Sequence, residues 1–111
     1  MSPFQALSAS FAVSPQIAPE DLQAIAAAGF KSLICNRPDG EGADQPAFSA
    51  VAQAAQQLGL QARHLPVVPG QIGPADAKAM ADLLADLPAP VLAYCRSGAR
   101  STQLWQMAQS L

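Results

Sequence analysis

The segment PVLAYCRSGARSTQLW, residues 90–105, joins a short apolar run to a polar loop and then to a longer stretch of mixed polarity. A short apolar run that is bounded by loop residues is typical of a buried strand, which we assign to 90–95. A helix is predicted to start near Ser101. Because ligands of open α/β sheets bind at the carboxyl ends of strands, Cys95 stands where a functional site is expected.

The remainder of the chain repeats the same order of strand and helix. The further strands and helices are predicted at 5–14, 31–36 and 61–68, and within 17–30, 47–60 and 75–87, respectively. Strict alternation indicates a parallel sheet with helices on both faces. The expected fold is α/β, a three-layer α/β/α domain with four mainly parallel strands and the first strand at an edge. We expect residues 1–111 to form a single domain.

The composition favours a compact chain whose positive charge is local. Half of the residues are hydrophobic, 13% are charged and the net charge is −2, so we expect no general attraction for nucleic acid or for an anionic membrane. No apolar run approaches the ~18 residues of a membrane span. The N-terminus lacks the basic and apolar pattern of a signal peptide, and the expected location is therefore cytoplasmic.

The loop after Cys95 combines charge, small side chains and the start of a helix. Its members are Arg96, Ser97, Gly98, Ala99, Arg100 and Ser101. Backbone N–H groups of such a loop can point inward and form an anion cradle at the helix N-terminus. The cradle, the helix dipole and the two guanidinium groups all stabilise a thiolate, so we expect a lowered pKa for Cys95.

Within this loop we assign catalytic roles to Cys95, as the nucleophile, and to Arg100, as an anion-binding group. Gly98 permits a positive φ, and Ser101 can cap the helix or hydrogen-bond to the sulfur. The alternative is a buried cysteine ahead of an ordinary capped helix. It is disfavoured because two arginines and a glycine in so short a loop contribute little to packing.

Three residues on other segments are candidates for the rim of the same pocket. Arg37 follows the second predicted strand, where it could add positive charge to the pocket mouth or be an exposed partner of Asp39 or Glu41. Asp39 and Glu41 could also swing toward the pocket as acids, although roles in the turn and in solubility explain them better. His64 could tune the thiolate, but a packed strand residue is the favoured interpretation.

The second cysteine, Cys35, lies near the end of the strand at 31–36. Cysteine is a common small core residue, which is the favoured interpretation, and a place at the pocket rim is the alternative. The two cysteines form no CxxC pair and have no neighbouring histidine. We therefore expect neither a metal site nor a cofactor.

Three segments together resemble one family. They are PQIAPEDLQAIAAAGFKSLICNRPDGE (15–41), HLPVVPG (64–70) and PVLAYCRSGARSTQLW (90–105). They are similar to the DUF442 family, the phosphatase-like domain of beta-lactamase hydrolase-like proteins, many members of which are called sulfur transferases. The resemblance implies a fold like that of dual-specificity phosphatases, with the strand order 1-4-2-3. That order would make the strands of Cys35 and Cys95 neighbours, and Cys35 could then act as a resolving thiol.

The length of the cysteine loop separates two related chemistries. Protein tyrosine phosphatases have five residues between cysteine and arginine, whereas Arg100 follows Cys95 after four, so that the six-residue loop CRSGAR resembles that of rhodaneses. Dual-specificity phosphatases also place an aspartate just after the third strand. The corresponding stretch LPVVPGQIG (65–73) has no acid, and Asp76 is better explained by the first turn of a helix.

The sequence thus favours a sulfurtransferase that carries a persulfide on Cys95. The resemblance implies small sulfur donors and thiol acceptors, such as thiosulfate or glutathione persulfide, and a metallo-beta-lactamase-like persulfide dioxygenase as a partner. The first alternative is a tyrosine or dual-specificity type of phosphatase that works through a phosphocysteine. The second is a non-catalytic module that binds an anion or a persulfide and passes it to another enzyme.

Overall fold

Five strands form one sheet in the part of the chain that this computed structural model describes, residues 4–111. The strands are β1 (Gln5–Ser8), β2 (Phe11–Ser14), β3 (Ser32–Cys35), β4 (Gln61–His64) and β5 (Val91–Tyr94). The helices are α1 (Leu22–Ala27), α2 (Phe48–Gln57), α3 (Pro74–Asp86) and α4 (Ala99–Gln109), and a 3₁₀ turn at Pro19–Asp21 leads into α1.

The strand order is β1-β2-β5-β3-β4, and all neighbours except β1 and β2 run parallel. The four parallel strands follow the expected order 1-4-2-3, with β5 between β2 and β3. The prediction of four strands was wrong at 5–14, because this segment is an antiparallel hairpin and β1, not β2, is the edge strand. Ser8 Oγ accepts a hydrogen bond from the Ser10 N–H at 3.2 Å within the turn, which an alternating pattern of small residues could not indicate.

Two apolar layers cover the two faces of the sheet. Adjacent residues of one strand point to opposite faces, so Leu92 packs in one layer and Ala93 in the other. The first layer holds residues of α1 and α2, namely Leu22, Ile25, Val51 and Ala55. The second holds residues of α3 and α4, namely Met80, Leu104 and Ala108. The expected three-layer α/β/α arrangement is confirmed.

The carboxyl ends of three parallel strands lie side by side at the same end of the sheet. Tyr94 ends β5 in the middle, with Ser14 of β2 and Cys35 of β3 as its paired neighbours. Cys95 follows directly and opens the loop into α4. The polar segments that follow these strands are therefore brought together around Cys95, as expected for a parallel sheet.

Within residues 4–111, none of the helices has both the length and the apolar character that crossing a membrane requires.

We expect Leu92→Ala to lower the free energy of unfolding by about 2–5 kcal/mol, because it opens a cavity at the centre of the sheet, where Leu92 is 0% exposed. The same substitution at Leu58, which is 43% exposed, should cost about 0.5 kcal/mol or less. Urea unfolding of both variants measures the two values. Equal losses would contradict the assignment of Leu92 to the core.

Candidate active site

The loop after β5 folds back over the sulfur of Cys95. Gly98 has a φ of 97°, in the left-handed region that favours glycine, and its N–H donates a hydrogen bond to Cys95 Sγ at 3.0 Å. A Cβ at Gly98 would lie 3.5 Å from the carbonyl oxygen of Ser14. That distance is an ordinary van der Waals contact, so the positive φ, and not a lack of space, is what favours glycine here, and α4 begins at the next residue.

Backbone N–H groups surround the buried sulfur. Burial raises the pKa of Cys95, but the N–H groups of Ser101, Ser97, Gly98 and Arg100 lower it, and the net pKa lies below its ordinary value. Such a ring of donors has the arrangement that the sequence analysis expects for an anion cradle at this helix N-terminus. Cys95 therefore becomes a thiolate at a lower pH than an ordinary cysteine does.

Two arginines share one carboxylate beside the cradle. Arg100 donates from Nη1 to Glu41 Oε2 at 2.8 Å and from Nη2 to Glu41 Oε1 at 2.7 Å, and its Nη1 also donates to the Val67 carbonyl oxygen at 3.0 Å. Arg37 donates from Nε to Glu41 Oε1 at 2.8 Å. Hydrogen bonds from Arg100 and Arg37 lower the pKa of Glu41 to about 2, so this carboxyl group is ionised near neutral pH.

These residues line a cleft of about 640 Å³ beside the cysteine loop. Its walls are formed by Arg37, Glu41, Gly42, Pro69, Arg96, Ser97, Ala99 and Arg100. Three guanidinium groups and one carboxylate give the cleft an excess of positive charge. Arg96 is the exposed arginine of the three, whereas Arg37 and Arg100 are buried. The cleft is chemically suited to a small ligand that carries negative charge.

Two residues that the sequence analysis did not single out support the loop. Asn36 is fully buried directly after β3, where Oδ1 accepts a hydrogen bond from Ser101 Oγ at 2.8 Å and Nδ2 donates to the Leu65 carbonyl oxygen at 3.0 Å. Gln16 accepts from Arg37 Nη1 at 3.1 Å and donates its backbone N–H to the Arg96 carbonyl oxygen at 3.2 Å. A polar residue at the end of an apolar strand could have pointed to Asn36 as a site residue. No feature of the sequence pointed to Gln16.

Among the candidate rim residues, the structure places Arg37 in the cleft. The interpretation of Arg37 as an exposed arginine was wrong, because Gln16 and Glu41 hold it at 7% exposure, close to the 8% of Arg100. Its partner is Glu41 rather than Asp39. Asp39 instead accepts the N–H of Phe48 at 2.9 Å and so satisfies the first donor of α2.

His64 and Cys35 lie behind the cleft and not at its rim. His64 Nε2 forms a 2.9 Å hydrogen bond with the Arg37 carbonyl oxygen, and its ring stacks on Phe48 with the centroids 4.6 Å apart. Cys35 is buried in the core, pairs with Tyr94 rather than with Cys95 across the sheet, and has a pKa that burial raises. Both cysteines are free thiols, and no group of three or more metal-ligating side chains occurs within residues 4–111.

Comparison with known proteins gives a consistent set of relatives. The family model described as "Beta-lactamase hydrolase-like protein, phosphatase-like domain" matches residues 3–111. A beta-lactamase hydrolase-like protein of Agrobacterium fabrum is 35% identical over 102 residues, which cover 92% of this chain and 23% of the relative. The chain thus spans about a quarter of the length of the curated relatives it matches.

Solved structures share the fold. A protein of Neisseria meningitidis, whose assignment as a phosphatase is provisional, superposes with a TM-score of 0.92 at 35% identity and covers 99% of this chain and 78% of its own. The P. aeruginosa protein TpbA, solved in complex with phosphotyrosine, superposes with a TM-score of 0.66 at 14% identity and covers 92% and 59%. The likeness to TpbA shows the fold alone.

We expect the Cys95 thiolate to form below the ordinary thiol pKa of 9.0, because the loop N–H groups outweigh the effect of burial. The difference in ultraviolet thiolate absorbance between the native protein and Cys95→Ser, followed against pH, gives the midpoint. Removal of the second thiol by Cys35→Ser should leave that midpoint in place. A midpoint at or above 9.0 would contradict the stabilisation.

Glu41 should also make the stability of the protein depend on pH in acid. Its pKa lies near 2 in the folded protein against an ordinary 4.5, so its contribution is complete above pH 4.5 and is lost as the pH falls toward 2. Because a quarter of the side chain is exposed, we expect Glu41→Gln to cost about 1–2 kcal/mol at about pH 7. Unfolding across this range, with Asp39→Asn as the control, measures the effect. A loss that does not shrink in acid would argue against the ion pair.

Proposed function

The chain belongs to the family of phosphatase-like domains of beta-lactamase hydrolase-like proteins, and from that premise we propose that it is a cysteine-dependent phosphatase. The sequence alone favoured sulfur transfer, but the comparisons support the phosphatase alternative better. The observation that carries the proposal is the buried Cys95 sulfur, surrounded by backbone N–H groups and flanked by the Arg100 guanidinium.

The proposed reaction begins with attack of the Cys95 thiolate on the phosphorus of a phosphate monoester. A sulfur–phosphorus bond forms while the bond from phosphorus to the ester oxygen breaks, and the electron pair leaves with that oxygen. The N–H groups of the loop and the free donors of Arg100 stabilise the negative charge on the phosphoryl oxygens. Water then attacks the phosphocysteine, releases phosphate and restores the thiolate.

The acid–base groups of the cleft favour a substrate with a good leaving group. Departure of the ester oxygen is faster when an acid protonates it. Glu41 is the acidic residue that lines the cleft, and with a pKa of about 2 it holds no proton near neutral pH. We therefore propose aryl phosphates of the phosphotyrosine type, whose phenolate leaves more readily than an alkoxide. TpbA, a protein of the same fold, was solved with phosphotyrosine, which is in keeping with this class.

Sulfur transfer is the second candidate, and the length of the loop favours it. Arg100 follows Cys95 after four residues, and a shorter ring of N–H groups suits a persulfide sulfur better than a phosphoryl group. In this reaction the Cys95 thiolate attacks the sulfane sulfur of thiosulfate, a new sulfur–sulfur bond forms, and sulfite leaves. A thiol such as glutathione then accepts the sulfur, and a metallo-beta-lactamase-like persulfide dioxygenase is the proposed partner.

We expect Cys95→Ser to lower the hydrolysis of p-nitrophenyl phosphate by about 10³-fold or more, because a serine hydroxyl at this position stays protonated where the loop N–H groups favour a thiolate. Alkyl phosphates should react much more slowly than this aryl ester. Colorimetric phosphate release measures both.

Thiosulfate and cyanide, assayed on the same preparations, separate the two candidates. Formation of thiocyanate and a ~32 Da adduct on Cys95 after exposure to a persulfide donor, without phosphate release, would replace the phosphatase by the sulfurtransferase. Phosphate release that persists in Cys95→Ser would exclude Cys95 as the nucleophile for that reaction.

A further inference from the structure

The Arg100 guanidinium has most of its donors engaged before any ligand binds. Both N–H groups of Nη1 are used, one by Glu41 Oε2 and one by the Val67 carbonyl oxygen. One N–H of Nη2 is used by Glu41 Oε1, which leaves Nε–H and the second Nη2–H for the sulfur of Cys95 and for a ligand. Arg100 also interacts with Cys95, both electrostatically and through a side-chain hydrogen bond, so the same guanidinium group contacts the carboxylate and the sulfur.

The carboxylate also keeps two buried cations apart. Arg37 and Arg100 are both less than one-tenth exposed, and Glu41 Oε1 accepts from both of them. Without that oxygen the two guanidinium groups would face each other with unpaired donors, an arrangement that costs free energy in a buried site. A small anion from solution would then satisfy the same donors. The structure thus contains a second potential anion position, which Glu41 fills from within the chain.

The loop that supplies Glu41 is braced in this position. Gln45 donates from Nε2 to the Pro38 carbonyl oxygen at 2.8 Å and accepts the Gly42 N–H at 3.1 Å. Gly42 packs closely on the arginine, since a Cβ there would lie 2.7 Å from Arg37 Nη2. His64 holds the Arg37 carbonyl oxygen from behind. These contacts place the carboxylate between the two guanidinium groups, with about a quarter (27%) of the Glu41 side chain exposed to solvent.

We propose that Glu41 is a positioning residue that acts through Arg100. Its carboxylate occupies the donors of Arg100 that face Arg37. The substrate anion is thereby confined to the remaining Arg100 donors and to the N–H groups around Cys95. The inference rests on the anion-binding part of the proposed function and not on the identity of the reaction. When Glu41 is neutralised, an anion should bind more tightly between Arg37 and Arg100, but farther from Cys95 and out of line for attack.

Inorganic sulfate is a suitable probe because it stays a dianion across the pH range in which Cys95 titrates. Calorimetry measures the affinity for sulfate. The ultraviolet absorbance of the thiolate shows whether the bound sulfate lies next to the sulfur, because an anion next to Cys95 raises the pKa of Cys95. In the native protein and in Asp39→Asn, the two signals should saturate together. In Glu41→Gln we expect calorimetric binding that is about 10-fold tighter, the lower end of the scale of one charge-assisted contact, and a smaller loss of thiolate absorbance at saturation.

Turnover provides an independent readout. In Glu41→Gln, kcat and KM for p-nitrophenyl phosphate should fall together, because the substrate binds tightly in an unproductive position. Glu41→Asp keeps the charge on a shorter side chain and should restore part of kcat. Circular dichroism checks that each variant is folded, and Glu41→Ala, which also removes the carboxylate, serves for both binding measurements if Glu41→Gln does not fold.

Three results would overturn the inference. The first is a sulfate affinity of Glu41→Gln that is unchanged or weaker than that of the native protein. The second is a thiolate response of Glu41→Gln that stays as large as in the native protein. The third is that none of the proteins binds sulfate. The binding measurements need no turnover. The phosphatase proposal can therefore fail while this inference stands, and the reverse also holds.

Discussion

The buried sulfur of Cys95 is the constraint on which the rest of the site depends. A thiolate enclosed by protein is costly unless donors replace the water that it loses. Here the donors are backbone N–H groups, and they converge on the sulfur because Gly98 adopts a positive φ and α4 starts at the next residue. The left-handed turn and the helix start are therefore part of the chemistry as well as of the fold.

The ends of neighbouring strands hold this loop in place from two sides. On one side the Ser14 carbonyl lies against Gly98, and Gln16, two residues further along, binds the Arg96 carbonyl oxygen. On the other side Asn36 binds the hydroxyl of Ser101. Since β2 and β3 flank β5 in register, any shift of one strand would move these contacts relative to the sulfur. The parallel sheet thus acts as the rigid support that a preorganised anion site requires.

The balance of charge in the cleft narrows the chemistry that it can support. Three arginines around one carboxylate attract an anionic ligand, and the carboxylate itself stays ionised because two guanidinium groups hold it. Such a site is better prepared to bind and attack an anion than to donate a proton to a leaving group. Phosphoryl transfer to Cys95 with a good leaving group and sulfur transfer through a persulfide both meet this condition. Family membership weighs toward the first and the length of the loop toward the second.

The sequence by itself determined the parallel α/β architecture, the place of Cys95 at a strand end and the loop that surrounds it. These features depend on contiguous residues, whose periodicity and spacing can be recognised locally. The sequence did not predict the hairpin at 5–14, because small residues alternate in the same way in one long strand and in two short ones. The pairing of Glu41 with Arg100 joins positions 59 apart, and that of Ser101 with Asn36 joins positions 65 apart. Only the packed tertiary structure could decide these partners, because they depend on how whole loops are brought together and not on any local pattern.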